Sequence, residues 1–130
     1  MEARSQPRIM ATVNTILIID DNAGFRLSAR AILEAEGFTV VGESGDGRSG
    51  LRDALRLDPD LVLLDIGLPD IEGFEVARRL AEAVPPPLVV LTSSREAREF
   101  GPRLAGSPAL GFIPKDELSG AALRNLAEAV

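Results

Sequence analysis

Four consecutive large aliphatic residues, Leu61-Val62-Leu63-Leu64, run without a break into a carboxylate, Asp65, and then into the turn-forming segment Ile66-Gly67-Leu68-Pro69-Asp70. An unbroken apolar run of this length, bounded by turn signals, suits a strand buried on both faces in the middle of a parallel sheet. Ligands of open parallel sheets bind outside the carboxyl ends of the strands, and Asp65 sits at such an end. An Asp that merely opens a turn would look the same taken alone. What the other strand ends carry therefore decides its meaning.

Two more runs have the same character. Ile16-Leu17-Ile18-Ile19 ends in Asp20-Asp21, and Leu88-Val89-Val90-Leu91 ends in Thr92-Ser93-Ser94. Two less apolar segments, Thr39-Val40-Val41-Gly42-Glu43 and Leu110-Gly111-Phe112-Ile113, read as strands nearer an edge, the second followed by Pro114-Lys115. Helical spacing fills the intervals. Phe25, Ala29, Ile32 and Leu33 share a face that Gly37 closes; Leu51, Ala54 and Leu55 mark a second helix ended by Asp58-Pro59. Phe74, Ala77, Leu80 and Ala81 mark a third, stopped by Pro85-Pro86-Pro87. Arg95 to Ser107 carries Gly101-Pro102 in its interior and is expected to be short or broken, because an interior Pro removes a hydrogen bond and clashes with the preceding turn. Leu123, Leu126, Ala127 and Val130 mark the last helix, with Ser119 as its cap.

Strands alternating with helices predict a flavodoxin-like, doubly wound (βα)5 sandwich of the α/β class, with one parallel five-stranded sheet. The three most apolar strands belong in the centre, which gives the order 2-1-3-4-5 and a switch point between the first and third strands. Residues 1–14 show no periodicity and read as a flexible tail; residues 15–130 read as one domain.

Composition narrows the chemistry. With no Cys and no His, thiolate sites are excluded and the commonest general base is missing, so a metal here needs oxygen ligands, as magnesium or calcium prefer. A net charge of −6 argues against a nucleic-acid surface, and no apolar run reaches the length of a membrane span. A cytoplasmic location is expected. Lys115 is the single Lys beside 13 Arg, which hints that this position needs a compact ammonium rather than a planar guanidinium.

The expected topology gathers Asp20, Asp21 and Asp65 at the switch point. A pair of carboxylates at 4 Å repels by about 4 kcal/mol at an effective dielectric near 20, so such a cluster takes up protons or binds a cation. Lys115 and Thr92, at neighbouring strand ends, add an ammonium and a hydroxyl. The set suits phosphoryl transfer to a nucleophilic carboxylate. Singly each residue has an ordinary explanation: Asp20-Asp21 as helix caps, Thr92 as a turn residue, Phe112 as core. Jointly the four strand ends carry more than chance would place there.

Over residues 15–130 the sequence resembles the receiver domain of two-component response regulators. The resemblance rests on Ile18-Ile19-Asp20-Asp21-Asn22, Leu63-Leu64-Asp65 with Leu68-Pro69-Asp70 and Gly73, Leu91-Thr92-Ser93-Ser94, and Gly111-Phe112-Ile113-Pro114-Lys115. It implies that Asp65 is the phosphoacceptor, taking its phosphoryl group from a sensor histidine kinase or a histidine phosphotransfer protein. It also implies that Mg²⁺ is bound by Asp21, Asp65 and the carbonyl of Gly67, with Asp20 acting through water. Thr92 and Lys115 would hold phosphoryl oxygens and Phe112 would rotate inward, altering contact with a downstream effector protein and allowing homodimerisation. The resemblance implies a signalling domain that assists its own phosphorylation and slow autodephosphorylation, rather than an enzyme.

The pattern departs from the family at three places. Asp116, not Pro, follows Lys115; Gly67 and Ser94 occupy small positions beside the acceptor and Thr92; and Gly101-Pro102 interrupts the fourth helix. Rival readings fit less well. A haloacid-dehalogenase-type phosphatase resembles its relatives in a second Asp two positions past the nucleophile, where this chain has Gly67. In a flavodoxin-type flavin carrier, Asp20-Asp21 would repel the phosphate, and the chain has no Trp or Tyr for stacking. A degenerate receiver serving only as an interaction module would not need the complete acidic set. The expectation is a stand-alone receiver; the alternative is a receiver fragment of a DNA-binding transcriptional regulator.

Overall fold

The computed structural model of the chain describes residues 13–128. Five strands, β1 (Thr15–Ile19), β2 (Thr39–Ser44), β3 (Leu61–Asp65), β4 (Leu88–Ser93) and β5 (Gly111–Pro114), alternate with five helices. The helices are α1 (Ala23–Ala35), α2 (Gly47–Leu57), α3 (Gly73–Leu80), α4 (Pro102–Ala105) and α5 (Gly120–Glu128). The strands form one parallel sheet in the order β2-β1-β3-β4-β5, the flavodoxin-like arrangement expected from the apolar runs.

Successive strand side chains point to opposite faces, and this sorts the core into two halves. Ile16, Ile18, Leu61, Leu63 and Val90 pack against Ala29 and Leu33 of α1 and Leu123 of α5. Leu17, Ile19, Val62, Leu64 and Leu91 pack against Ala54 of α2 and Val76 and Leu80 of α3. All five residues of β3 are buried, as a central strand covered by helices on both faces requires.

Local signals set most boundaries. Asn22 caps α1 by accepting from the Phe25 amide at 2.9 Å, and Gly37 takes a left-handed turn (φ 97°) just past the helix end. Asp58 closes α2 in a left-handed conformation. Ser119 Oγ accepts from the Ala122 amide at 3.0 Å, the expected cap of α5. Several boundaries moved: β1 starts at Thr15, β2 and β4 run on to Ser44 and Ser93, α3 ends at Leu80, before the prolines expected to stop it, and β5 starts at Gly111 and runs through Pro114.

The interrupted fourth helix is a 3-10 turn at Ala97–Glu99 followed by the single turn of α4. Gly101, with φ 59°, supplies the bend between them, and Pro102 sits in the first turn, where its missing N–H is not needed. The Lys115–Asp116 peptide is trans; Val84–Pro85 is the cis peptide among the described residues. Of the segment read as a tail, residues 1–12 lie outside the described residues. Val13 packs against the core, and the Asn14 amide donates to Asp60 at 2.9 Å. Val130, assigned to the last helix face, also lies outside them.

Candidate functional site

The carboxyl ends of β1 and β3 stand side by side because these strands pair directly. Asp20 and Asp21 are the first two residues past β1. Since Asn22 takes the capping role, neither carboxylate is spent on the first turn of α1. Asp21 is exposed, while Asp20 is fully buried. Asp65, the last residue of β3, is also buried. One oxygen from each of the three lies within 4.8 Å of the others.

The partners of these carboxylates are few. Asp20 Oδ1 accepts from the Asn22 amide at 2.9 Å. Its Oδ2 is buried and 2.8 Å from Lys115 Nζ, an ionic contact without hydrogen-bond alignment and with no other partner. Asp65 Oδ1 accepts a long bond from the Gly67 amide (3.3 Å), and its Oδ2 is 3.7 Å from Lys115 Nζ. Burial first, then the nearby charge of Asp20, push the Asp65 carboxyl above its ordinary range, against the opposing pull of Lys115 and the Gly67 amide. Among three clustered carboxylates the Lys115 ammonium contacts two, and it sits nearer Asp20 than Asp65. The deficit in positive charge, in a set made only of oxygen donors, is what a hard divalent cation fits.

Thr92 faces Asp65 across the β3–β4 pair. It is buried, and its hydroxyl donates to the Ile113 carbonyl on β5 at 2.7 Å. Phe112 pairs with Leu91 in the sheet register and packs, half-buried, on the α2–α3 side of the core. Its ring centroid is 6.0 Å from that of Phe100, which is 5.9 Å from that of Phe74. Gly67 is exposed, and a Cβ built there would meet nothing within 4 Å. The space beside Gly67, two residues past Asp65, is open.

Four contributors were given no role at the site from sequence. Phe25 lies under Lys115, with Nζ 4.7 Å from its ring centroid. Arg26 donates to the Asp20 carbonyl at 2.7 Å and pairs with Glu43 at 3.2 Å. Asp70 reaches back to the start of α2, accepting from the amides of Gly47 (2.7 Å) and Arg48 (2.9 Å). Gly73 closes the β3–α3 turn: its amide donates to the Ile66 carbonyl at 2.8 Å, and a Cβ there would collide with the Asp65 carbonyl. Phe25 and Arg26 carry no local signal beyond their place in the first turns of α1. Gly73 and Asp70 had one, as part of the segment that follows the acceptor.

A doubly wound sheet whose switch point holds three carboxylates, an ammonium and a facing hydroxyl defines the two-component signalling receivers. The chain belongs to the response regulator receiver domain family, which it matches over residues 16–128. It is 40% identical over 104 residues to BvgA of Bordetella pertussis, named as a positive transcription regulator of virulence factors, covering 80% of this chain and 50% of the relative. It is 40% identical over 109 residues to protein-glutamate methylesterase/protein-glutamine glutaminase 6 of Anaeromyxobacter dehalogenans, covering 82% of this chain and 31% of that one. The chain thus spans half or less of these relatives. The signal receiver domain of the response regulator NarL from Mycobacterium tuberculosis superposes with a TM-score of 0.82 at 26% identity, over 92% of this chain and all of that one. Among the described residues no helix is long and apolar enough to cross a membrane.

Proposed function

We propose that Asp65 is a phosphoacceptor that receives a phosphoryl group from a phosphohistidine on a sensor histidine kinase or histidine phosphotransfer protein. The observation that carries this reading is a buried carboxylate at the end of the central strand, crowded by two others and 3.7 Å from an ammonium. An Asp65 oxygen attacks phosphorus, the P–N bond breaks, the imidazole leaves with its electron pair, and a mixed carboxylic–phosphoric anhydride results. Burial and the Asp20 charge raise the basicity of the attacking group. This increases its nucleophilicity once it is ionised.

Asp20, Asp21, Asp65 and the Gly67 carbonyl would hold Mg²⁺. When bound, it would neutralise the carboxylates and the charge on the incoming phosphoryl oxygens. Lys115 would hold a phosphoryl oxygen; this reading is supported by its ammonium lying 2.8 Å from Asp20 and 3.7 Å from Asp65. Thr92 reaches one only by releasing the Ile113 carbonyl, and that release frees the β4–β5 edge on which Phe112 sits. The signal then passes as a changed contact with an effector domain or protein. Slow loss of the phosphoryl group to water through the open space beside Gly67 resets the domain.

Intact mass after incubation with acetyl phosphate, with and without Mg²⁺, tests the reading on wild type and Asp65→Asn. The expected result is a single phosphoryl gain that needs Mg²⁺ and is absent from Asp65→Asn. No gain in a folded wild type, or an equal gain in the variant, overturns it.

A further inference from the structure

We infer, on the phosphoacceptor reading of Asp65, that Phe25 is a positioning residue for Lys115: its ring face holds the ammonium inside the acidic site and so speeds phosphoryl transfer. Lys115 Nζ lies 4.7 Å from the Phe25 ring centroid, within the reach of about 6 Å over which a ring face attracts a cation. The Lys115 side chain is 18% exposed, so water only partly screens that attraction.

Local structure fixes the ring beside the site. Asn22 caps α1 by accepting from the Phe25 amide at 2.9 Å, and its carbonyl accepts from the Arg26 amide at 3.0 Å. Arg26 in turn donates to the Asp20 carbonyl at 2.7 Å. One turn of helix therefore sets both Asp20 and the Phe25 ring. The half-buried ring packs on the half of the core that holds Ile18 and Leu33.

What the ring supplies is attraction without added negative charge. The ammonium stands 2.8 Å from Asp20 and 3.7 Å from Asp65, and these carboxylates are also the groups that a divalent cation and the phosphoryl group would engage. Engaged in that way, they hold an ammonium less strongly. A carboxylate in place of Phe25 would hold Lys115 but would repel a phosphoryl oxygen. A neutral ring keeps its pull whatever the charge of the site. An ammonium on a flexible four-carbon stem, free to swing into water, needs such a pull to stay in place.

Lys115 is the only Lys in the chain, so ¹³C-labelled lysine yields a single Cε signal. The test measures ¹³C relaxation of that methylene, with and without Mg²⁺, and the initial rate of phosphoryl gain from acetyl phosphate. Both are read on the full chain as wild type, Phe25→Leu and Phe25→Tyr. Leu keeps an apolar side chain without a ring face; Tyr keeps the face. Circular dichroism checks folding, and Phe25→Met, equally ring-free, replaces Phe25→Leu if that variant does not fold. The expected result is an ordered Cε in wild type and Phe25→Tyr and a mobile one in Phe25→Leu. The rate should fall about three- to fivefold in Phe25→Leu and hold in Phe25→Tyr. A loss that Phe25→Tyr shares, an unchanged or faster rate in folded Phe25→Leu, or a Cε equally ordered without the ring overturns the inference. A wild type that gains no phosphoryl group overturns the acceptor reading and the rate effect with it. The Cε signal, read without a phosphodonor, then still decides whether the ring holds the ammonium.

Discussion

Asp65 and Lys115 pull the stability of the domain in opposite directions, and the geometry assigns a sign to each. Charging Asp65 is opposed by burial and by Asp20, so Asp65→Asn relieves strain in the resting state. We expect its melting temperature at neutral pH to rise by roughly 4 °C, about 1 kcal/mol; calorimetry showing no rise or a fall would count against this account of the site. Lys115→Met has the reverse effect. It leaves the fully buried Asp20 oxygen without its ionic contact, at a cost of about 2–3 kcal/mol in urea unfolding. Adding Asp20→Asn to Lys115→Met should recover part of that loss, a coupling that a double-mutant cycle measures directly. The chemical identities of these residues were legible in the sequence because each ends an apolar run. The pairing of Lys115 with Asp20 rather than Asp65 was not, since it depends on distances between side chains from three different loops.

At the level of elements, the β3–α3 turn joins the acceptor strand to two helices. Gly73 packs against the Asp65 and Ile66 backbone, so Gly73→Ala forces backbone rather than a flexible side chain to move. A loss of about 1–3 kcal/mol is expected. Asp70 satisfies two amides at the start of α2 from the neighbouring loop, and Asp70→Ala should lose about 1–2 kcal/mol. An unchanged denaturant midpoint in either variant would remove that contact from the account. The Gly101-Pro102 interruption was readable in sequence as a break, because proline chemistry is local. What holds the resulting one-turn α4 was not readable. Arg103 stacks 4.3 Å from the Phe74 ring centroid and pairs with Glu72 at 3.1 Å, both contributed by the region where α3 begins. Such exposed contacts are weak, and amide exchange in residues 97–107 should accordingly be faster than in α1.

Across the whole molecule, pH acts through two sets of carboxylates with opposite signs. Glu75 is held at about 2, by Arg78 first and then Arg79. Glu43 is lowered by its bond to Arg30, and Glu72 by its bond to Arg103. A carboxylate with a depressed folded value contributes stability above its ordinary range and loses it as pH falls, so melting temperature should drop below about pH 4.5. Asp65, raised in the fold, works the other way. Its protonation on acidification relieves the site, and the wild type should therefore lose less on going from neutral to mildly acid pH than Asp65→Asn does. Parallel melting curves of the two proteins would refute this. The sequence by itself determined the α/β class, the strand order and the set of residues at the strand ends. These follow from hydrophobic period and run length, which act over a few neighbouring residues and respond to burial on one face or two. Only the tertiary structure decided which carboxylate the lone ammonium lies nearer and that Asp70 accepts from the first amides of a helix 23 residues back. Those contacts arise where parallel register and crossover connections bring distant loops and helices together, and no local periodicity encodes the distances between them.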